Sequence, residues 1–275
     1  MKISILLPYK ENFSPIYPGA VSLFVSETTQ LSIYKKSITV YGNTSFNKKF
    51  NLKYTNIELK KNIFSSQSKK YVEEFIKIEK KNQSNLIEIH NRPNYLKYLI
   101  KELKKRVYAL YFHNDPLTMT GSTSLNERKF LLKHCYKIIF NSNWSKKRFL
   151  EGMHNKFVNS EKLIVVFQSA GQKQVDLNKK KKWITFVGKL NKAKGYDIFG
   201  FTILKILKKY PKWNAIVVGD EQRDKIIFNH DKIKKLGFLN HKKVLDIYKK
   251  TSIAVVCSRW EEPFGRTSLE ASANG

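Results

Sequence analysis

Acidic residues are scarce in this chain. Of 275 residues only 22 are Asp or Glu, against 52 Lys or Arg, a formal charge of +30. Cysteine is rarer still, with Cys135 and Cys257 alone and far apart. Two lone thiols inside apolar patterns exclude a disulfide scaffold and a cysteine-based metal site, and both are read as buried. No apolar run approaches the roughly eighteen residues that cross a bilayer, and the opening KISILLP is too short for a leader and has no cleavage site. The default expectation is a cytoplasmic protein. Carboxylate and histidine clusters at ligand spacing are missing, so no metal is implied. Neither a Gly-x-Ser-x-Gly elbow nor a Cys-His signature offers a covalent route.

Arginine is the next scarcity: seven in the chain, so lysine carries the charge. The lysines are spread along every helix and form no single stripe with interleaved stacking aromatics, which argues against specific nucleic-acid binding. Attraction to an anionic membrane surface, worth about 1 kcal/mol per well-placed lysine, stays open as a peripheral contact. What is present suits packed cores: 41% apolar and 13% aromatic residues, in a length comfortable for two domains.

The apolar runs KISILLP (2–8), SITVYG (37–42), LIEIHN (86–91), VYALYF (107–112), KIIFNS (137–142) and KLIVVF (162–167) read as strands covered on both faces. Helical periodicity separates them: AVSLFVSETTQLSIY after Gly19, one helix at 67–81 in an otherwise irregular stretch, then 94–104, 126–134 and 144–150. Strands alternating with helices imply a doubly wound parallel sheet. Ligands bind such sheets at the carboxyl ends of strands, where His90 and His113 fall, with Asp115 two residues on. Gly19 closes a loop on a helix start.

After residue 167 the periodicity is lost, and the lysine-rich stretch 171–182 reads as a linker. A second unit opens with WITFVG, the loop KLNKAKG and a helix from Tyr196 to Lys209. Lys189 and Lys194 bracket that loop, Gly188 and Gly195 let it turn, and a helix start follows, which makes a credible diphosphate site. WNAIVVGDE ends a strand at Gly219 and Asp220, KLGFLN (235–240) is a short strand with Gly237 and Phe238, and a helix over 241–250 and the strand SIAVVCS lead to WEEPFGRTSLEASANG. There Glu262 and Glu270 stand eight apart across a Pro-Phe-Gly turn that opens a helix. The unpaired N–H groups from about Phe264 to Thr267 suit a phosphate or a polarised hydroxyl.

EPFGRTSLEA resembles the Glu-x7-Glu motif of retaining glycosyltransferases of family 4, in glycosyltransferase group 1. The resemblance implies an α/β protein of two Rossmann-like doubly wound parallel-sheet domains facing a cleft, the GT-B fold. Here these would be an acceptor-side domain at 1–170 and a nucleotide-sugar-binding domain at 183–275, the latter incomplete because related chains continue further. By matching position, Glu262 would contact the donor sugar and Glu270 the nucleotide ribose, with Phe264 and Gly265 in the same donor-binding turn. Lys189 and Lys194 match the two cations of Gly-Arg-x4-Lys-Gly that hold the diphosphate, Gly19 matches the loop after the first strand, and His113, more than His90, matches a histidine on the donor sugar. The implied activity is transfer of a sugar from a nucleotide diphosphate donor to a glycan or lipid-linked acceptor with retention, in cell-surface polysaccharide or lipopolysaccharide synthesis, without a metal or other cofactor. A glycosidase, which needs carboxylates on opposite sides of one bond, fits poorly. The rivals are a catalytically impaired nucleotide-sugar-binding fragment and a basic nucleic-acid-binding protein.

Overall fold

Seven strands, β1 (Ile3–Leu6), β2 (Ile38–Gly42), β3 (Tyr54–Asn56), β4 (Leu86–His90), β5 (Val107–Phe112), β6 (Lys137–Phe140) and β7 (Leu163–Val165), form one sheet in the order β3-β2-β1-β4-β5-β6-β7. Every pair is parallel. The strands read as continuous apolar runs because both faces are covered. Ile3, Ile5 and Val40 meet Val21, Phe24 and Val25 of α1 (Ala20–Leu31). Leu6, Ile87 and Ile89 face the other way, onto Tyr71 and Phe75 of α2 (Gln67–Asn82), Leu96 and Leu99 of α3 (Leu96–Glu102), Leu131 of α4 (Leu125–His134) and Phe149 of α5 (Asn143–Leu150). Each such buried side chain contributes roughly 1.5–3 kcal/mol. Local signals set the helix starts: Ser124 and Glu127 form a capping box on α4, and Ser142 caps α5.

The structure is a computed structural model that describes residues 1–59, 66–154, 157, 159–171, 174–221 and 225–275. The chain divides into two units, Met1–Phe167 and Gln168–Gly275. Within the expected linker, Gln172 and Lys173 lie outside the described residues, Leu177–Lys179 form a 3-10 turn, and Lys181 and Lys182 already open the first strand of the second unit.

That unit has a four-stranded parallel sheet in the order β10-β9-β8-β11, from β8 (Lys181–Val187), β9 (Asn214–Val218), β10 (Ile233–Lys235) and β11 (Thr251–Val255). Ile184, Phe186 and Val217 pack on Phe199, Ile203 and Leu207 of α6 (Tyr196–Lys209). Ile216 and Val218 on the opposite face pack on Val244 and Tyr248 of α7 (His241–Tyr248). α8 (Arg266–Ser272) follows β11. The short strand expected at 235–240 lies earlier, at Ile233–Lys235, because Gly237 turns at φ +66° and the Asn240 side chain caps α7. β11 is an edge strand whose Ser252, Ile253 and Ala254 are exposed, and Cys257 just beyond it is only half-buried, not buried as expected.

Candidate functional site

In the second unit β8 and β11 are neighbours, so the loops leaving their carboxyl ends meet although Lys194 and Glu262 are 68 positions apart. Lys194 Nζ donates to Glu262 Oε1 at 2.6 Å, and Ser258 Oγ donates to the same oxygen. The Trp260 ring lies 5.2 Å from the ammonium. The pair is reachable from solvent, with side-chain exposures of 27% and 17%. Lys189, on the same loop, is exposed.

The loop holds this shape through its own polar groups and two close backbone approaches. Asn191 Oδ1 accepts from Lys194 N at 3.0 Å, while Asn191 Nδ2 donates to Glu221 at 3.2 Å. Gly195 sits at φ +71°, and a Cβ there would stand 1.9 Å from the Cys257 carbonyl oxygen. Gly219 sits at φ +132°, where a Cβ would fall 1.8 Å from the Gly188 carbonyl oxygen. Only glycine admits these contacts, which draw the loops after β8, β9 and β11 together. Cys257 Sγ donates to the Gly195 carbonyl at 3.1 Å, and burial pushes its thiol up, so it is a packing group and not a nucleophile.

The two motif glutamates have different surroundings. Glu262 belongs to the open loop, whereas Glu270 is buried on α8, its Oε1 accepting from His241 Nε2 at 2.9 Å and from Arg266 Nε at 2.6 Å. Burial alone would push the Glu270 carboxyl up, but the His241 hydrogen bond and the Arg266 charge outweigh it and hold the group below the ordinary carboxylate range. Glu270 is therefore a fixed anion at neutral pH. Phe264 is half-buried, and Gly265 at φ +82° turns the chain into α8.

In the first unit the carboxyl ends of β4 and β5 place both histidines in one buried line. Glu88 Oε1 lies 2.5 Å from His90 Nε2, and His90 Nδ1 lies 2.8 Å from His113 Nε2. An ionised carboxylate can only accept, so His90 Nε2 carries a proton; in a neutral pair His90 Nδ1 then accepts from His113 Nε2, and the tautomer of His113 is set. Tyr111 stacks on both rings, at 5.4 and 4.6 Å, and Phe24 meets His113 edge-on at 5.0 Å. Asn91, at φ +56°, accepts from the backbone N–H groups of His113 and Asn114 at 3.1 and 3.2 Å. Asp115 turns away from the histidines: it accepts from Leu117 N at 3.0 Å and pairs with Arg148 at 3.0 Å.

Gly19 gives room to another residue. The Glu11 carboxylate rests on the start of α1, accepting from the Ser22 N–H and hydroxyl at 2.9 Å each, and a Cβ on Gly19 would lie 2.1 Å from it. Glu11, Glu88, Ser258, Trp260 and His241 were all missed by sequence reasoning. The period-two spacing of Glu88 and His90 on one strand was the single available signal, since it puts both side chains on the same face. Among the described residues no group of three or more His, Cys, Asp or Glu could hold a metal ion.

Two all-parallel α/β units, each with its candidate residues at the carboxyl ends of its own strands, have the fold of the GT-B glycosyltransferases. The solved structure of Alr3699/HepE from Anabaena, in complex with UDP and glucose, matches with a TM-score of 0.71 at 17% identity, covering 100% of this chain and 78% of that one. Residues 168–275, which carry Lys194, Glu262 and Glu270, match the model of the family Glycosyl transferases group 1. Spore coat protein SA of Bacillus subtilis (strain 168) is 22% identical over 100% of this chain and 79% of its own length. The lipopolysaccharide core biosynthesis mannosyltransferase LpsB of Rhizobium meliloti (strain 1021) is 29% identical over 39% of this chain and 33% of its own length.

Proposed function

We propose that the chain is a retaining family 4 glycosyltransferase that moves a hexose-like sugar from a nucleotide diphosphate donor to a glycan or lipid-linked acceptor in cell-surface polysaccharide or lipopolysaccharide synthesis. It works in the cytoplasm, peripherally on the membrane, and without a metal. The observation that carries the reading is the Lys194–Glu262 contact at 2.6 Å. The diphosphate is dianionic in the donor and gains a further negative charge as its bond to the sugar breaks, so the chemistry needs a cation there more than it needs a nucleophile. An arriving phosphate oxygen takes Lys194 from Glu262, and the released carboxylate accepts from a hydroxyl of the sugar. Phosphate binding thereby arms the sugar contact. Lys189 adds a second charge to the diphosphate, Glu270 accepts from the ribose with His241 and Arg266 keeping it ionised, and Phe264 and Gly265 shape the turn between the two glutamates. His113, with its tautomer fixed by His90 and Glu88, contacts the transferred sugar, and Gly19 belongs to the donor-side loop. A UDP-bound solved structure and a mannosyltransferase among the relatives support a nucleotide-sugar donor.

The test is turnover with a panel of UDP-, GDP- and ADP-sugars, following released nucleoside diphosphate and the anomeric configuration of the product by nuclear magnetic resonance. Retained configuration with one donor is expected. Inverted product would refute retention, and no release above background with any donor–acceptor pair would refute transfer.

A further inference from the structure

A parallel sheet gathers the amino ends of its strands along one edge, opposite the edge that carries His90 and His113. In the first unit that edge is basic. Lys35 and Lys36 precede β2, Lys81 stands at the end of α2 ahead of β4, and Lys101, Lys104 and Lys105 stand where α3 turns into β5. Acidic side chains near these positions are few: Glu102 is tied to Lys80 at 2.7 Å, Glu79 is buried, and Glu161 precedes β7.

Apolar side chains stand among these lysines in water. Leu31, the last residue of α1, is 86% exposed and Ile33, in the turn to β2, 91%; Val107 at the start of β5 is 45% exposed and Tyr136 ahead of β6 65%. One exposed leucine needs no explanation, but these positions follow a single edge from β2 to β6, five adjacent strands set about 4.8 Å apart and so roughly 20 Å of surface. At the amino end of β5 a groove of about 570 Å³ opens between α3 and α4, walled by Lys97, Lys101, Lys104 and Arg106 over Tyr108 and Phe130. The Arg106 Nε is buried without a hydrogen bond, and its nearest carboxylate, Glu79, is 3.8 Å away. His134 on the same groove is pushed down by burial first and then by the Lys133 and Lys162 charges.

We propose that this edge docks the protein on an anionic lipid bilayer: Leu31 and Ile33 enter the acyl boundary, the lysines meet headgroup phosphates, and the α3–α4 groove takes one phosphorylated headgroup. The occupant follows from the mixture of groups. A nucleic acid would use the lysines and gain nothing from two aliphatic tips in full solvent, and a free phosphate would use the groove alone. The proposal gives a surface to the peripheral membrane contact in the reading above, and it stands or falls without any sugar nucleotide. It also leaves the histidine edge open, one strand length or roughly 20 Å from the bilayer.

The test is sedimentation of the full chain with vesicles of phosphatidylcholine alone and with added phosphatidylglycerol, over a salt series. Binding is expected only with phosphatidylglycerol and should weaken with salt. The variant Lys101→Gln/Lys104→Gln/Lys105→Gln should weaken partition roughly fivefold per lysine. Leu31→Ser/Ile33→Ser should weaken it roughly tenfold per residue. Circular dichroism checks the fold of each variant; if either is unfolded, Lys104→Gln and Ile33→Ser singly replace them. Equal binding to both vesicle types, or no binding to either, would overturn the proposal. So would vesicle binding untouched by the Leu31 and Ile33 changes, or an oligonucleotide bound more tightly than the vesicles and lost with the lysines alone.

Discussion

Replacing Lys194 with alanine should separate phosphate recognition from nucleoside recognition. In the free protein its ammonium is held by Glu262 at 2.6 Å, so an incoming diphosphate exchanges one anion for another and does not simply gain a contact. A hydrogen bond to a charged group is worth roughly 1.5–3 kcal/mol, and the competing carboxylate places the loss toward the lower end, about tenfold in Kd. The pair is partly exposed, so the fold loses under about 1 kcal/mol and the midpoint of melting moves by only a few degrees. Isothermal titration with UDP, GDP and ADP, and with the matching nucleosides, measures the effect. Lys194→Ala should weaken the diphosphate about tenfold and leave the nucleoside unchanged. Glu262→Gln should do the reverse of what loss of a binding residue does: it frees Lys194, so diphosphate affinity holds or rises while sugar transfer falls. Equal weakening of diphosphate and nucleoside by Lys194→Ala, or a Glu262→Gln variant that binds diphosphate much more weakly, would refute this exchange of partners.

A methyl group on Gly219 would meet the Gly188 carbonyl oxygen at 1.8 Å at a backbone angle disfavoured for other residues, so Gly219→Ala should cost about 1–3 kcal/mol and lower the melting temperature, whereas Gly171→Ala, which meets nothing, should not. Glu270 is held below its unfolded-state pKa, so its contribution is complete above the ordinary glutamate value of about 4.3 and disappears as pH falls through the folded value. Melting temperature against pH should therefore fall in acid for the native protein, and Glu270→Gln should be less stable at neutral pH with a flatter acid limb; parallel curves would contradict the assignment. Glu88→Gln replaces the acceptor that orients His90 at 2.5 Å, and should lower kcat for transfer while leaving the Kd for nucleoside diphosphate unchanged; a change in Kd alone would place the histidine line outside the sugar contact.

Legibility in the sequence followed the range of the forces involved. Helix α6 was readable to its bounds at Tyr196 and Lys209, because Phe199, Ile203 and Leu207 repeat on one buried face between a glycine and a strand. The parallel strands were readable because double-sided burial leaves an unbroken apolar run. β3 was not: Tyr54–Asn56 is a short edge strand with half-buried polar residues, which is indistinguishable from a loop by pattern. At the site, Glu262, Lys194 and Glu270 announce themselves by spacing to local turns. Their partners do not, since Glu262 to Lys194, Glu270 to His241 and His90 to His113 are pairings made by strand order, and strand order is a property of the folded sheet. Gly19 shows the same limit: its place before a helix was visible, and the Glu11 carboxylate seated there was not.

The claim on which the rest depends is that the second unit binds a sugar nucleotide through the loops after β8 and β11. Isothermal titration of the whole chain with UDP-, GDP- and ADP-sugars, beside an oligonucleotide of matched charge, tests it most directly. Saturable heat with at least one sugar nucleotide, reduced about tenfold in affinity by Lys194→Ala, is the predicted result. Heat with the oligonucleotide alone, or sugar-nucleotide binding indifferent to Lys194, would contradict it.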